Sequence, residues 1–271
     1  MFSVIIAAHD EAAVIERCLR SIVAGAEPEE LEVVVVAYGC SDDTAARARG
    51  IAGPVKVVEI PGRSKAEALN RGDEEAGHFP RMYIDADIVV EIDALREVAS
   101  LLSDDSPVLV AAPEPEFDTE GRPALVRSFY RVWSSLPFFT ENLVGAGFYA
   151  MSKEGRARFG KFPELIGEDG FVRLTVAPHE RRSARGSTFR ISAPRGLWSM
   201  MERMTRVRAG KTELHEKFPE LLKNETTRPR RSLRIIAESP DLWPHAPVYL
   251  GVMGLAKVVS TVQRLTGRSP R

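Results

Sequence analysis

Cysteine is scarce in this 271-residue chain: it has two, Cys18 and Cys40, and no Cys-x-x-Cys pair. That argues against a disulfide framework and fits reduced thiols in a cytoplasmic setting. The five histidines, His9, His78, His179, His215 and His245, are scattered and show no zinc-ligand spacing. Gly-x-Ser-x-Gly, Walker-type and Gly-x-Gly-x-x-Gly signatures are missing, so hydrolase, kinase and dehydrogenase chemistries find no motif here. Long apolar runs are also lacking. The most apolar stretch, Ala246–Leu265, meets a charge at Lys257 and falls short of the roughly 20 apolar residues a membrane span needs. There is no internal repeat and no low-complexity tract. The opening Met1–Ile6 has no basic leader and is expected to be a strand rather than a signal peptide.

What is present is ordinary in amount and uneven in placement. Apolar residues make up 44% and charged residues 28%, which suits a globular protein with a real core. The net charge of −1 hides an asymmetry: residues 1–178 carry 18 basic against 30 acidic residues, and residues 179–234 carry 15 against 6. The basic section can face phosphates or form a solvated helical face. It contains no interleaved aromatic pattern, so no nucleic-acid partner is expected. Two parts are expected: residues 1–210 as one α/β domain, and residues 211–271 as a helical, basic C-terminal extension.

The first half alternates short apolar runs with amphipathic stretches. Strands are expected at Phe2–Ala8, Leu31–Ala37, Val55–Ile60, Arg81–Ile84 and Val108–Ala112. Asp10 is expected to cap a helix over Glu11–Val23, and Ser41 or Asp42 to open the next. Ser64-Lys65-Ala66-Glu67 reads as a capping box for a helix to about Ala76. Pro113–Glu116 reads as a loop and Pro123–Ser135 as a helix. Val144–Met151 suits a strand opened by glycines, where backbone approaches something closely. This rhythm predicts a mostly parallel sheet flanked by helices. Ligands of open α/β sheets bind outside the carboxyl ends of the strands. Those ends carry His9-Asp10-Glu11, Tyr38–Asp42, Pro61-Gly62-Arg63 and Asp85-Ala86-Asp87.

Asp85-Ala86-Asp87 is the most informative stretch. Two carboxylates spaced i, i+2 at a strand end can face one side and hold a hard divalent cation. Such a cation can grip a diphosphate and stabilise it as a leaving group.

Taken in order, the motifs resemble the inverting family-2 glycosyltransferases, whose fold is the nucleotide-binding, Rossmann-like GT-A fold. Val4–Glu11 resembles the family's opening strand and turn, and Val36–Thr44 its second motif. Lys65–Gly72 is similar to its Lys-x-x-Ala-Leu-Asn-x-Gly helix, Asp85–Asp87 to its metal triplet, and Glu168-Asp169 to its Glu-Asp pair. The resemblance covers roughly residues 2–210. His9 replaces the family's usual aromatic, and Ala37-Tyr38 replaces an acidic pair that often reads uracil, so it does not fix the donor base. The Gln-x-x-Arg-Trp element of processive synthases is only loosely matched at Thr205–Arg208, which points to single addition.

The resemblance implies transfer of one sugar from a nucleotide-diphosphate-sugar donor to an acceptor hydroxyl with inversion, in cell-surface or exopolysaccharide assembly. The acceptor would be a glycan, a lipid-linked molecule or a small molecule. Asp87 would hold Mg²⁺ or Mn²⁺ and Asp169 would act as general base. Ala8, His9, Glu11, Tyr38, Lys65, Asp85 and Arg206 would contact the donor, and Gly147 and Glu168 the acceptor. The capping alternative for Asp169 stays open, since aspartate also favours helix starts. Two rival functions are a sugar nucleotidyltransferase and a non-catalytic, membrane-associated protein of the same fold. Ala246–Leu265 reads either as an interfacial amphipathic helix giving peripheral membrane contact, or as a helix packed on the domain or on a homodimer partner.

Overall fold

The computed structural model describes residues 1–140, 145–226 and 229–266. Its sheet is built outward from β1 (Phe2–Ala8), all of it buried. β2 (Leu31–Tyr38), rich in β-branched valines, pairs parallel with β1 through Ile5 and Val34. β3 (Val55–Ile60) is an edge strand whose exposed Lys56 and Glu59 discourage further pairing. β4 (Arg81–Ile84) pairs parallel with the other side of β1. The remaining strands are β5 (Ile88–Val90), β6 (Val110–Asp118), β7 (Phe148–Met151) and β8 (Arg181–Ser192). The eight-stranded order is β3-β2-β1-β4-β7-β6-β8-β5. The chain moves outward from β1 to β3 and then crosses back to β4, so the strand order reverses between β1 and β4. That reversal is where open α/β sheets form their ligand crevice. β7 runs antiparallel to β4, with Ile84 opposite Phe148.

The helices are α1 (Ile15–Val23), α2 (Thr44–Arg49), α3 (Lys65–Glu75), α4 (Ile92–Leu101), α5 (Ala124–Trp133), α6 (Pro137–Thr140), α7 (Lys153–Arg156), α8 (Glu168–Thr175), α9 (Leu197–Lys217), α10 (Pro229–Glu238) and α11 (Ala246–Leu265). α3 begins as its sequence predicts, with the Ser64 hydroxyl accepting from the Glu67 amide at 3.0 Å. It buries Ala66, Ala68, Leu69 and Gly72. A β-carbon on Gly72 would overlap the Ile5 side chain on β1. Gly72→Ala therefore overpacks the helix–sheet contact, outweighing its propensity gain of about 1 kcal/mol. The expected net loss is about 1–2 kcal/mol, read as a lower urea midpoint at constant m-value.

Four sequence expectations are corrected. Asp10 does not cap α1: its φ is +53°, its carboxylate accepts from the Ser41 amide at 2.6 Å, and the helix starts only at Ile15. The loop expected at Pro113–Glu116 is part of β6, which pairs with β7 through Val110 and Ala111, so both prolines lie past that register. Residues 181–192, within the stretch read as a solvated helical face, form β8 instead. Phe189 and Ile191 are buried while Arg190 points out, a period-2 pattern masked by the surrounding arginines. β5, directly after the acidic triplet, was not anticipated, and its pairing with Phe189–Ile191 supplies what its three residues lack alone. Val144 lies outside the described residues.

The chain divides into two units. The first contains Met1–Glu116, the described residues from Gly145 to Glu164, and Glu168–Ile191. The second contains Phe117 to residue 140, Leu165–Gly167 and the described residues from Ser192 onward. Its core joins α5, α9 and α11 through Val126, Phe129, Met200, Met204, Val252 and Ala256. One face of α11 is thus packed within its own unit, while Leu255, Val258 and Val262 on the same helix are exposed. Among the described residues no helix is long and apolar enough to cross a membrane.

Candidate active site

The acidic triplet sits where the strand order reverses. Ile84 ends β4, the Asp85 amide donates to the Gly147 carbonyl at 2.8 Å, and β5 starts at Ile88. Because β7 is antiparallel to β4, the residues before Phe148 are carried to the carboxyl end of β4. There Gly145, Ala146 and Gly147 have φ of +131°, +60° and +90°. At Gly147 a β-carbon would come within 2.7 Å of Asp85 Oδ2. A side chain is thus excluded by both conformation and space. The close approach expected of this glycine-opened segment is to Asp85.

The same turn faces Asp169. Ala146 N–H donates to Asp169 Oδ2 at 2.9 Å, and Gly170 N–H donates to Asp169 Oδ1 at 2.7 Å. Asp169 lies inside the first turn of α8, which Glu168 opens, so it is not the residue before the helix that a cap requires. It is half-buried rather than sealed in the interior. The turn at Gly145–Gly147 thus lies against Asp85 at one end and Asp169 at the other.

Lys65 ties the constellation together from the start of α3. Its Nζ lies 2.7 Å from Asp85 Oδ1 and 2.5 Å from Glu168 Oε1. Burial alone would lower the Lys65 ammonium, but the Asp85 and Glu168 carboxylates outweigh it and hold the group well above its ordinary range. Burial pushes the Glu168 carboxyl up, Lys65 pulls it back, and Asp169 and Asp85 add like-charge pressure; the net direction is upward. Asn70, expected on the same helix motif, instead brackets the Phe162 backbone through both ends of its amide, at 2.8 and 3.2 Å.

Asp87 is half-buried, and its carbonyl accepts from Arg17 Nη2 at 3.1 Å. Arg17 was missed because nothing in the polar face of α1 distinguishes it. Tyr149 was missed too, reading as one more apolar strand residue. It is 2% exposed, stacks on Tyr83 at 4.9 Å, and its hydroxyl has no hydrogen-bond partner among the described residues. Burial, then the Glu168 carboxylate, holds its phenol well above the ordinary range.

At the ends of β1 and β2, Ala8 is buried and its carbonyl faces Cys40 Sγ at 3.4 Å. The His9 ring stacks on Tyr38 at 5.2 Å and its Nδ1 lies 2.7 Å from the Tyr38 carbonyl. The Glu11 amide donates to Thr44 Oγ1 at 2.8 Å. Beside them a cavity of about 480 Å³ is lined by Ala37, Gly39 and Cys40 from the β2 end and by Glu59, Ile60, Pro61 and Arg63 from the β3 end. Arg206 belongs to the second unit, exposed on α9.

The oxygen-donor chemistry of the triplet suits a hard cation. Mg²⁺-type sites are often held by one or two carboxylates, with substrate phosphates supplying further ligands. Among the described residues no third His, Cys, Asp or Glu ligand clusters with Asp85 and Asp87. Asp85 is already neutralised by Lys65.

An α/β sheet with carboxylates gathered at its strand-order reversal defines a ligand-binding crevice. The family model for glycosyl transferase family 2 matches residues 3–153. The chain belongs to this family and is a glycosyltransferase. Among solved structures it resembles a mannosyltransferase from Pyrobaculum calidifontis in complex with GDP-Man and Mn²⁺, at 21% identity and TM-score 0.62, over 98% of this chain and 79% of that one. It also resembles glucosyl-3-phosphoglycerate synthase from Mycobacterium tuberculosis with Mn²⁺, UDP-Glc and phosphoglyceric acid, at 19% identity and TM-score 0.55, over 80% and 79%. The UDP complex of that enzyme gives 19% and 0.57 over the same shares. These likenesses establish the GT-A fold. No curated protein matches the chain.

Proposed function

We propose that this glycosyltransferase moves a single sugar from a nucleotide-diphosphate-sugar donor to an acceptor hydroxyl, with inversion at the anomeric carbon. The reading rests on one observation: Asp85 and Asp169 border the same Gly145–Gly147 turn, one beside the acidic triplet and the other half-buried with its carboxylate fixed by two backbone amides. A divalent cation held by Asp87 supplies Lewis-acid stabilisation of the leaving diphosphate. The chain's own residues do the rest. Asp169 takes the acceptor hydroxyl's proton as that oxygen bonds to the anomeric carbon and the bond to the diphosphate breaks. Lys65 neutralises Asp85 and fixes Glu168 next to the base. The cavity between the β2 and β3 ends takes the nucleotide base, with His9 and Tyr38 beside it. The neighbours' ligands make GDP-mannose and UDP-glucose the first donors to assay, with phosphorylated small molecules and glycans as acceptors. A role in cell-surface glycan assembly follows from the family resemblance.

The test is transfer by the purified full chain against a donor panel, with the anomeric configuration of the product read by NMR. Chelation with EDTA is expected to abolish transfer and added Mn²⁺ or Mg²⁺ to restore it. A retained anomeric configuration would refute the inverting role of Asp169. Full activity in EDTA would remove the cation from the reading.

A further inference from the structure

His9, Asp10 and Cys40 form a second constellation, distinct in chemistry from the carboxylates at β4. One ligand atom from each lies within 4.8 Å of the others, and among the described residues this is the group of three so arranged. Neighbouring residues in a strand point to opposite faces, but the left-handed φ of +53° at Asp10 breaks that alternation. It brings His9 Nε2 to 3.8 Å from Asp10 Oδ2. A tetrahedral ion holding nitrogen and oxygen at about 2.0–2.2 Å sets those two ligands roughly 3.3–3.5 Å apart, so this pair needs to close by only a few tenths of an ångström.

The imidazole is oriented for the task. The Tyr38 carbonyl can only accept, so Nδ1 at 2.7 Å carries the proton, and the lone pair is left on Nε2, 3.8 Å from Asp10 Oδ2. A backbone carbonyl holding the far nitrogen is the common outer-shell arrangement of metal-binding histidines. Stacking on Tyr38 fixes the ring plane as well. Asp10 is preset too: the Ser41 amide donates to its Oδ1 at 2.6 Å and the Ser41 hydroxyl lies 3.1 Å from both oxygens, which fixes the carboxylate. Cys40 is half-buried, and its thiol donates to the Ala8 carbonyl at 3.4 Å, with the Tyr38 carbonyl at 3.9 Å. The other thiol, Cys18, is fully buried, and burial pushes its pKa far up, which leaves it inert.

We propose that His9 Nε2, Asp10 and Cys40 Sγ bind one thiophilic divalent cation of the zinc class, on the wall of the cavity between the β2 and β3 ends. Nitrogen and thiolate donors select borderline-soft ions, whereas the carboxylates at β4 suit Mg²⁺ or Mn²⁺. Binding releases the thiol proton to solvent and leaves a fourth position open to water. The site borders the cavity that the proposed function gives to the nucleotide base, and its test reads metal binding alone, without transfer.

Titration of the metal-free full chain with Co²⁺ tests it. Expected are a near-ultraviolet thiolate-to-cobalt band saturating at one ion per chain, and displacement of Co²⁺ by Zn²⁺. Cys40→Ser should abolish the band, and His9→Gln or Asp10→Asn should weaken Co²⁺ binding about tenfold or more. Asp87→Asn should leave the band unchanged, with circular dichroism confirming that each variant is folded. Absence of a thiolate band in the wild type overturns the proposal. So does its survival in folded Cys40→Ser, or unchanged affinity in both His9→Gln and Asp10→Asn.

Discussion

Asp169→Asn is expected to cut the transfer rate by about 10²–10⁴-fold, the usual contribution of a positioned general base, while donor binding survives. The substitution keeps the side chain's shape and removes its basicity. It also has a local cost, because both carboxylate oxygens accept backbone bonds, from Ala146 and Gly170. An asparagine offers one acceptor oxygen, so one amide loses its partner and the turn before β7 loosens. The base role and this structural role separate on measurement. Lost basicity lowers kcat and leaves the calorimetric donor affinity intact, whereas a displaced turn disturbs Asp85 and weakens donor and rate together. Near-normal turnover in the variant would remove Asp169 from the chemistry.

Lys65→Met is expected to lower both stability and activity. It strips the cation from Glu168, which is 7% exposed, and from the more accessible Asp85. Removing one partner of a buried pair costs about 3–5 kcal/mol. Solvent access at Lys65 and Asp85 brings the expected figure down to about 2–3 kcal/mol. The pH dependence has a definite sign. Without Lys65, burial and the flanking carboxylates push the Glu168 pKa in the folded state above its unfolded value. The deficit is then full above that raised pKa and fades as pH falls toward the ordinary glutamate range, where both states are protonated. Lys65→Met combined with Glu168→Gln is expected to regain most of the stability but not the activity. Chemical denaturation at several pH values checks this; a deficit independent of pH, unrelieved in the double variant, would count against the ion pair.

The expectations that match the structure concern features written locally. The β-branched run of β2 and the serine cap of α3 need only their own neighbours, so periodicity and turn chemistry place them. The acidic triplet was legible because a strand end and two carboxylates are contiguous. Arginine-rich β8 failed the same reading: its alternation is visible only once Phe189 and Ile191 have a partner in β5. The Asp10 cap failed because its carboxylate is taken by Ser41, on the loop after β2.

By itself, then, the sequence determined the alternating α/β architecture, the acidic triplet at the end of β4 and the Glu168-Asp169 pair at a helix start, since each is a matter of residue order over a few positions. Only the tertiary structure decided that Lys65 bridges Asp85 and Glu168, that Gly147 must lack a side chain, and that His9 and Cys40 converge. Those partners are joined by the crossover to β4, the antiparallel return of β7 and the parallel register of β1 with β2. Distances through space are set by such connections, and no spacing along the chain encodes them.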